Sequence, residues 1–361
     1  MRKPGIASYS GLLFFTANSF IRGLALIAAL IFASSVDARD ADMQPLHGAI
    51  AGYSAGGMIS ALGEGLTAMV RAEFPGSSLT YEPGNPAGGL VKMVAGKRPF
   101  SIQTPMELAI AQRGEKPFRR AYSAGTEGDF TAIAQIVEGM AVQVLMREGF
   151  FSEHRISDFQ QVIDRQLPLR VSANIRGNLL GQVLTERILN YYGLSYEQLR
   201  HSGGEVVYLA TRASADLMRN RKLDMVVTAA FLPSARLIEI ATATDIRLLY
   251  LPPDLVATLA DEFGFTTMTI PADTYPFLHR DLPSMTTGFL LTAGRETGFN
   301  VAYQMARSLH RQFDQLRQLH PAFADFEPEM LLRTAGIPLH PGAQAYYKEA
   351  GLALSGTEVD Y

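Results

Sequence analysis

The chain has 361 residues, 47% of them hydrophobic, with a net charge of −3 and a pI near 6.2. Its 32 Lys and Arg residues are scattered, so there is no basic field of the kind nucleic acid binding requires, and the length suits two cores of ordinary size better than one. The absence of cysteine excludes disulfides, a thiolate metal site and a lipid-anchor cysteine.

Arg2 and Lys3 begin a basic lead, Gly23 to Ala33 form an uncharged apolar core, and Val36-Asp37-Ala38 offers a small-residue cleavage site. Residues 1–38 therefore read as an export signal. The apolar core is too short to span about 30 Å of hydrocarbon, and extending it back to Leu12 places Asn18 and Arg22 mid-span. An uncleaved N-terminal anchor is the alternative. The mature chain is expected to be soluble and extracytoplasmic.

Beyond the signal, short apolar runs alternate with helix-period segments, the pattern of an α/β fold with parallel strands and crossover helices. Ala49-Ile50-Ala51 is a strand. Gly52-Tyr53-Ser54-Ala55-Gly56-Gly57 follows, then a helix with Met58, Ile59, Leu62, Leu66, Met69 and Val70 on one face and Glu64, Thr67 and Arg71 on the other. The loop fits a G-x-S-x-G nucleophile elbow with Ser54 as nucleophile. An elbow needs earlier strands and an upstream loop for its oxyanion hole, and here the mature chain has barely begun, so position favours a loop that cradles a ligand. Leu79-Thr80-Tyr81 is a second strand, and Gly84-Asn85-Pro86 starts a helix carrying Leu90, Val91 and Val94, with Asn85 as N-cap. Phe100 to Gln103 is a third strand, after which Thr104 caps a helix beginning at Pro105. In a parallel sheet these three helix starts converge on one edge, which attracts small anions.

A second series begins near residue 138. Strands are expected at Ala141 to Met146, Leu169 to Val171, Val206 to Tyr208, Met225 to Val227 and Ile246 to Leu251; Asn174-Ile175-Arg176-Gly177-Asn178 leads into a helix, and Phe231-Leu232-Pro233 opens another. Thr267 to Pro276 is irregular, Gly288 to Thr292 suits a strand, and Asn300 to Leu319 reads as one helix, with Val301, Met305, Leu309, Phe313 and Leu316 buried and Arg307, Arg311 and Arg317 mostly outside. His310 is expected to be exposed. His320 and His340 each precede a proline at a helix end or turn, and the seven histidines include no i, i+4 pair, so neither a catalytic zinc nor a cofactor is expected.

Ile337 to Gly351, reading IPLHPGAQAYYKEAG, resembles the ending of TAXI proteins, the extracytoplasmic solute-binding subunits of one class of TRAP transporter. Ile270 to Pro276 resembles that family's Thr-Tyr-Pro segment, and the Gly52 to Gly57 loop its first glycine-rich loop. The resemblance implies a two-lobed periplasmic binding protein, type II-like, with a ligand cleft between lobes. It implies capture of a small carboxylate resembling glutamate or 2-oxoglutarate, delivery to a TRAP-type permease, and no chemistry on the solute. A binding component that signals to a membrane sensor is the alternative, and a serine hydrolase using Ser54 a further one. Lobe one is expected at residues 39–137 and 246–361 and lobe two at 138–245, in a monomer. Two departures stand out: Met58-Ile59-Ser60 replaces the family's ligand-covering aromatic pair, and Arg176 enters the second loop, where it either clamps a carboxylate or is a solvated surface arginine. The expected cleft residues are Tyr53, Ser54, Gly56, Gly57, Asn85, Gln103, Asn174, Arg176, Gly177, Asn178 and Phe231.

Overall fold

The computed structural model describes residues 43–353 apart from Ser54, Gly56 and Asn85; the expected signal at 1–38 lies outside the described residues. Ten strands alternate with helices in a mixed α/β fold. The first series runs β1 (His47–Ala51), α1 (Met58–Glu73), β2 (Ser78–Glu82), α2 (Pro86–Val94), β3 (Phe100–Gln103) and α3 (Pro105–Arg113). Then come β4 (Phe130–Arg147), α4 (Glu148–His154), α5 (Gln160–Asp164), β5 (Arg170–Ser172), α6 (Leu179–Tyr191), α7 (Tyr196–His201), β6 (Glu205–Val207), α8 (Thr211–Arg219), β7 (Met225–Ala230), α9 (Ala235–Ala243) and β8 (Ile246–Leu248). The chain closes with α10 (Pro253–Phe263), β9 (Thr266–Ile270), β10 (Leu282–Gly294), α11 (Phe299–Arg311), α12 (Phe313–Gln318) and α13 (Pro341–Glu349).

The strands form one curled sheet in the order β2-β1-β3-β10-β4-β7-β5-β6, with β8 on β4 and β9 on β10. Pairing is parallel within β1-β2-β3 and within β5-β6-β7, as the alternating pattern predicts. It is antiparallel wherever β4 or β10 takes part, so the sheet is mixed. These two strands are long, 18 and 13 residues. The Phe130 to Ala141 stretch of β4 pairs β10, and Ala141 to Met146 pairs β7, so one strand serves both series.

Their shared ladder is irregular near its middle. Register shifts fall between Thr287 and Phe289, opposite Gly139 with φ 81°, and again between Phe289 and Leu290 and between Leu291 and Thr292. A Cβ on Gly288 would lie 1.9 Å from the Val137 carbonyl oxygen, so only glycine allows the strands to approach this closely. Thr287 Oγ1, buried beside the bulge, has no hydrogen-bond partner among the described residues.

Buried side chains of both series belong to one apolar cluster that includes Leu90 and Met106 on one side and Val171, Leu184 and Ile188 on the other. A second cluster, with Leu145, Met218, Leu237 and Tyr275, fills the space around β7 to β10. The C-terminal tail packs against the first series: Ala132 donates to the Pro338 carbonyl at 2.9 Å, His340 N to Ala132 O at 2.8 Å, and Tyr347 Oη to Ile133 O at 3.1 Å.

Several expectations are corrected. Thr67 is buried rather than outward, because its hydroxyl donates back to Glu64 O at 2.8 Å and so carries no unsatisfied polarity inward. Thr266 to Ile270 is a strand, whose exposed face hides its periodicity. The helix over 300–319 is two helices meeting at Gln312. Arg307 is half-buried and binds Glu73 at 2.7 Å, and His310 is half-buried with Nδ1 2.9 Å from Tyr346 Oη.

In the second series Asp224, fully buried, accepts from Arg147 Nη2 at 2.9 Å, from Arg170 Nε at 2.7 Å and from the Arg170 backbone at 3.1 Å. The carboxylate thereby pins the end of β4 to the start of β5. Removing one member strands buried charge, so Asp224→Ala is expected to cost about 3–5 kcal/mol in urea unfolding. Gly288→Ala is expected to cost about 1–3 kcal/mol in the same assay, because the backbone must move apart to admit the methyl.

Candidate functional site

Helices α1, α2 and α3 follow the parallel strands β1, β2 and β3, so their N-termini lie along one edge of the sheet. Gly52 opens the first loop because Tyr81 lies against it: a Cβ there would sit 2.5 Å from the Tyr81 ring, and one on Gly63 only 2.1 Å away. Tyr81 Oη donates to the Tyr53 carbonyl at 2.7 Å, and Gly84 N donates to the same oxygen at 3.2 Å. The first loop is thereby tied to the loop before α2.

Tyr53 turns its ring edge-on to Phe289, 5.2 Å between centroids, and its hydroxyl donates to Glu107 Oε2. Glu107 is the third residue of α3, where it closes a capping box: Thr104 N donates to the same Oε2 at 2.9 Å, and Glu107 N donates to Thr104 Oγ1 at 3.2 Å. Burial pushes the Glu107 carboxyl up to about 7. Burial, followed by the neighbouring carboxylate, holds the Tyr53 phenol well above its ordinary range, so Tyr53 stays neutral.

Across from these loops lies the loop before α6. Asn174, at φ 64°, accepts the Ile175 N–H on its own Oδ1 at 2.7 Å, and Gly177 takes φ 92°. Asn178 caps α6, accepting Gly181 N at 3.0 Å. Arg176 is exposed, lies over the Tyr208 ring at 4.0 Å, and has no carboxylate partner among the described residues. A cavity of about 520 Å³ lies between the two sides, lined by Tyr53, Ala55, Gly57, Met58, Ile59, Pro83 and Gly84 on one wall and by Ile175 to Asn178 on the other.

The structure thus brings Tyr53, Gly57, Arg176, Gly177 and Asn178 to one cavity. Ser54, Gly56 and Asn85 lie outside the described residues. Asn174 supports its loop from behind. Gln103 is buried in the sheet, donating to Ser101 Oγ at 2.7 Å, and does not line the cavity. Phe231 packs on His320 and Phe323 beside a different space of about 820 Å³ near Gly139 and Gly288. That second space suits anions poorly: its walls carry Glu138 and Asp325 against Arg333, and Arg333 Nη1 already contacts both Glu138 oxygens at 2.9 Å.

Sequence reasoning missed Glu107 and Tyr81. The Thr104-x-x-Glu107 spacing of a capping box carries a signal for the first, while nothing local marks Tyr81. The late histidines are committed to structure. His310 pairs with Tyr346, while His320 Nδ1 accepts Ala322 N and His340 Nδ1 accepts Gly342 N, each at 3.1 Å. The described residues contain no group of three or more His, Asp or Glu able to hold a metal.

The sequence matches the model of the NMT1-like family over residues 108–351. The chain belongs to the NMT1-like family. No curated protein matches it. Among solved structures, this NMT1-like chain is similar to the malate-bound MatC of Rhodopseudomonas palustris at 16% identity, over 86% of this chain and 97% of that one, with a TM-score of 0.48. It is similar to a TctC solute-binding protein from Polaromonas at 13% identity, over 78% and 89%, with a TM-score of 0.47. The methylphosphonate complex of PhnD1 from Prochlorococcus marinus gives 8%, 86%, 100% and 0.48.

Glu107 generates a testable pH dependence. Its folded-state affinity for a proton exceeds that of the unfolded chain, so its contribution to stability is complete below about pH 4 and lost as pH rises to about 7. Because both hydrogen bonds end on one oxygen, glutamine can keep them. Glu107→Gln is expected to flatten the melting temperature between pH 5 and 8 and to raise it at pH 8.

Proposed function

We propose that this chain is an extracytoplasmic solute-binding protein that holds a small organic carboxylate between two lobes and delivers it unaltered to a TRAP-type membrane permease. The observation that carries the binding reading is the cavity between the first loop and the Ile175 to Asn178 loop. Two helix N-termini open onto it, and that of α1 lacks a side-chain cap: its N-cap is Gly57, and no acidic residue stands in its first turn. Arg176 adds a cation with no internal carboxylate. Uncapped N–H groups, the positive end of the helix dipole and an uncommitted guanidinium form a receptor for an anion.

With lobes at residues 39–137 with 246–361, and 138–245, the first crossing falls within β4, and β10, paired to β4, lies in lobe one. The irregular register at Gly139 and Gly288 is then where bending is concentrated. Closure brings Arg176 toward the N-terminus of α1 and shuts the carboxylate away from water, with no bond made or broken. Assignment to the TAXI subfamily, the TRAP partner and a periplasmic location rest on the sequence resemblance and the signal-like N-terminus. Among the described residues no helix is long and apolar enough to cross a membrane.

A thermal-shift screen of carboxylates, amino acids and keto acids is expected to find a ligand that raises the melting temperature of the mature chain. Arg176→Ala is expected to weaken that ligand by about 10- to 100-fold in calorimetry, the loss of a charged hydrogen bond of roughly 1.5–3 kcal/mol. Equal affinity in the variant removes the arginine from the site, and no stabilising solute of any class removes the binding reading.

A further inference from the structure

The same cavity says more about its solute, if the binding reading holds. Apart from Arg176, none of the side chains lining it is charged, and the undescribed positions Ser54, Gly56 and Asn85 add no charge. Tyr53 offers no hydroxyl proton, since that proton goes to Glu107, and Asn178 Oδ1 is engaged at Gly181. A second charged end on the ligand would therefore find no side-chain counter-charge here. The remaining wall is apolar: Tyr53, Met58, Ile59, Pro83 and Ile175.

At Gly177 this cavity meets another of about 610 Å³, whose walls include Val91, Phe118, Leu179 and Val183. Lys116 and Glu186 also line that second cavity, so it carries charge of both signs, and the body of the solute is placed in the first. Ile175 and Val91, one beside each cavity, are among the few large apolar residues left open to solvent, at 37% and 41% exposure. Within the first cavity Met58, Ile59 and Pro83 stand on the wall from the first series and Ile175 on the wall from the second. An apolar surface placed on both sides of a cleft is best covered by something apolar lying between them.

We infer that the solute is a monocarboxylate with an apolar body, its carboxylate held by Arg176 and the start of α1 and its hydrocarbon portion laid between Ile175 on one wall and Met58, Ile59 and Pro83 on the other. Glutamate and 2-oxoglutarate, each with a second charged end, are disfavoured because Arg176 is the single charged side chain among the described residues lining the first cavity. The apolar walls contribute affinity in proportion to the hydrocarbon they cover, at about 0.8 kcal/mol for each buried methylene.

The test is calorimetric titration of the mature chain with butanoate, hexanoate and octanoate, alongside hexanedioate and 2-oxoglutarate. Affinity is expected to rise about fourfold per methylene, which is the same 0.8 kcal/mol expressed as a ratio, and hexanoate is expected to bind at least tenfold more tightly than hexanedioate. Ile175→Asp is expected to weaken hexanoate at least tenfold while leaving the melting temperature of the ligand-free chain unchanged. A flat chain-length series, or a dicarboxylate that binds as tightly as hexanoate, overturns the inference. So does binding of no carboxylate when an amino acid, sulfonate or phosphonate stabilises the chain, a result that leaves the solute-binding reading standing.

Discussion

Strands β4 and β10 pair antiparallel through the centre of the molecule, and every other part is placed by reference to that ladder. Each is too long to belong to one series. The β1-β2-β3 group is attached through β10, and the β5-β6-β7 group through β4. Because backbone groups in the middle of a sheet must be paired, the two α/β series are constrained to share one sheet and to face each other at a limited set of angles. Gly139 and Gly288 relieve that constraint at the first of three register shifts along the ladder, where the strands come close. The cavity between the first loop and the Arg176 loop exists because two parallel groups, held apart by this central pair, present helix N-termini to a common space.

Polar groups around the site are organised to leave little freedom. Tyr53 is held at three points: its hydroxyl by Glu107, its ring by Phe289 and its carbonyl by Tyr81 and Gly84. Glu107 serves two ends at once, closing the cap of α3 and anchoring the first loop, and its burial is tolerated because a single oxygen receives both hydrogens. A side chain restrained in this way loses less conformational entropy when it meets a ligand, and preorganisation of this kind contributes directly to affinity. Arg176 contrasts with it. The guanidinium rests on Tyr208 and remains available to a charge brought from outside.

Agreement between sequence and structure follows how local each signal is. Thr104-Pro105 starts a helix because a hydroxyl cap and a proline act within one turn, and β3 ends at Gln103 as its apolar run predicts. The start of α6 after Asn178 is legible for the same reason. The first half of β4 was hidden because Phe130 to Ile136 is nearly all buried on both faces, which erases alternation, and because Glu138-Gly139 reads as a turn. Strand β9 is an exposed edge whose partner, β10, lies further along the chain. The division of helix 300–319 at Gln312 has no glycine or proline to announce it.

For the site the same distinction holds. Residue chemistry alone marked the glycine loop, the arginine in the second loop and the asparagine at its helix start, since backbone permissiveness, charge and capping reside in single residues or short spacings. Their meeting in one cavity, the exclusion of Gln103 and Phe231 from it, and the entry of Glu107 beneath Tyr53 were decided only in three dimensions. Those outcomes depend on which strands pair and in what register, and the energy of such pairing belongs to contacts between residues far apart in the chain, which no local window of sequence contains.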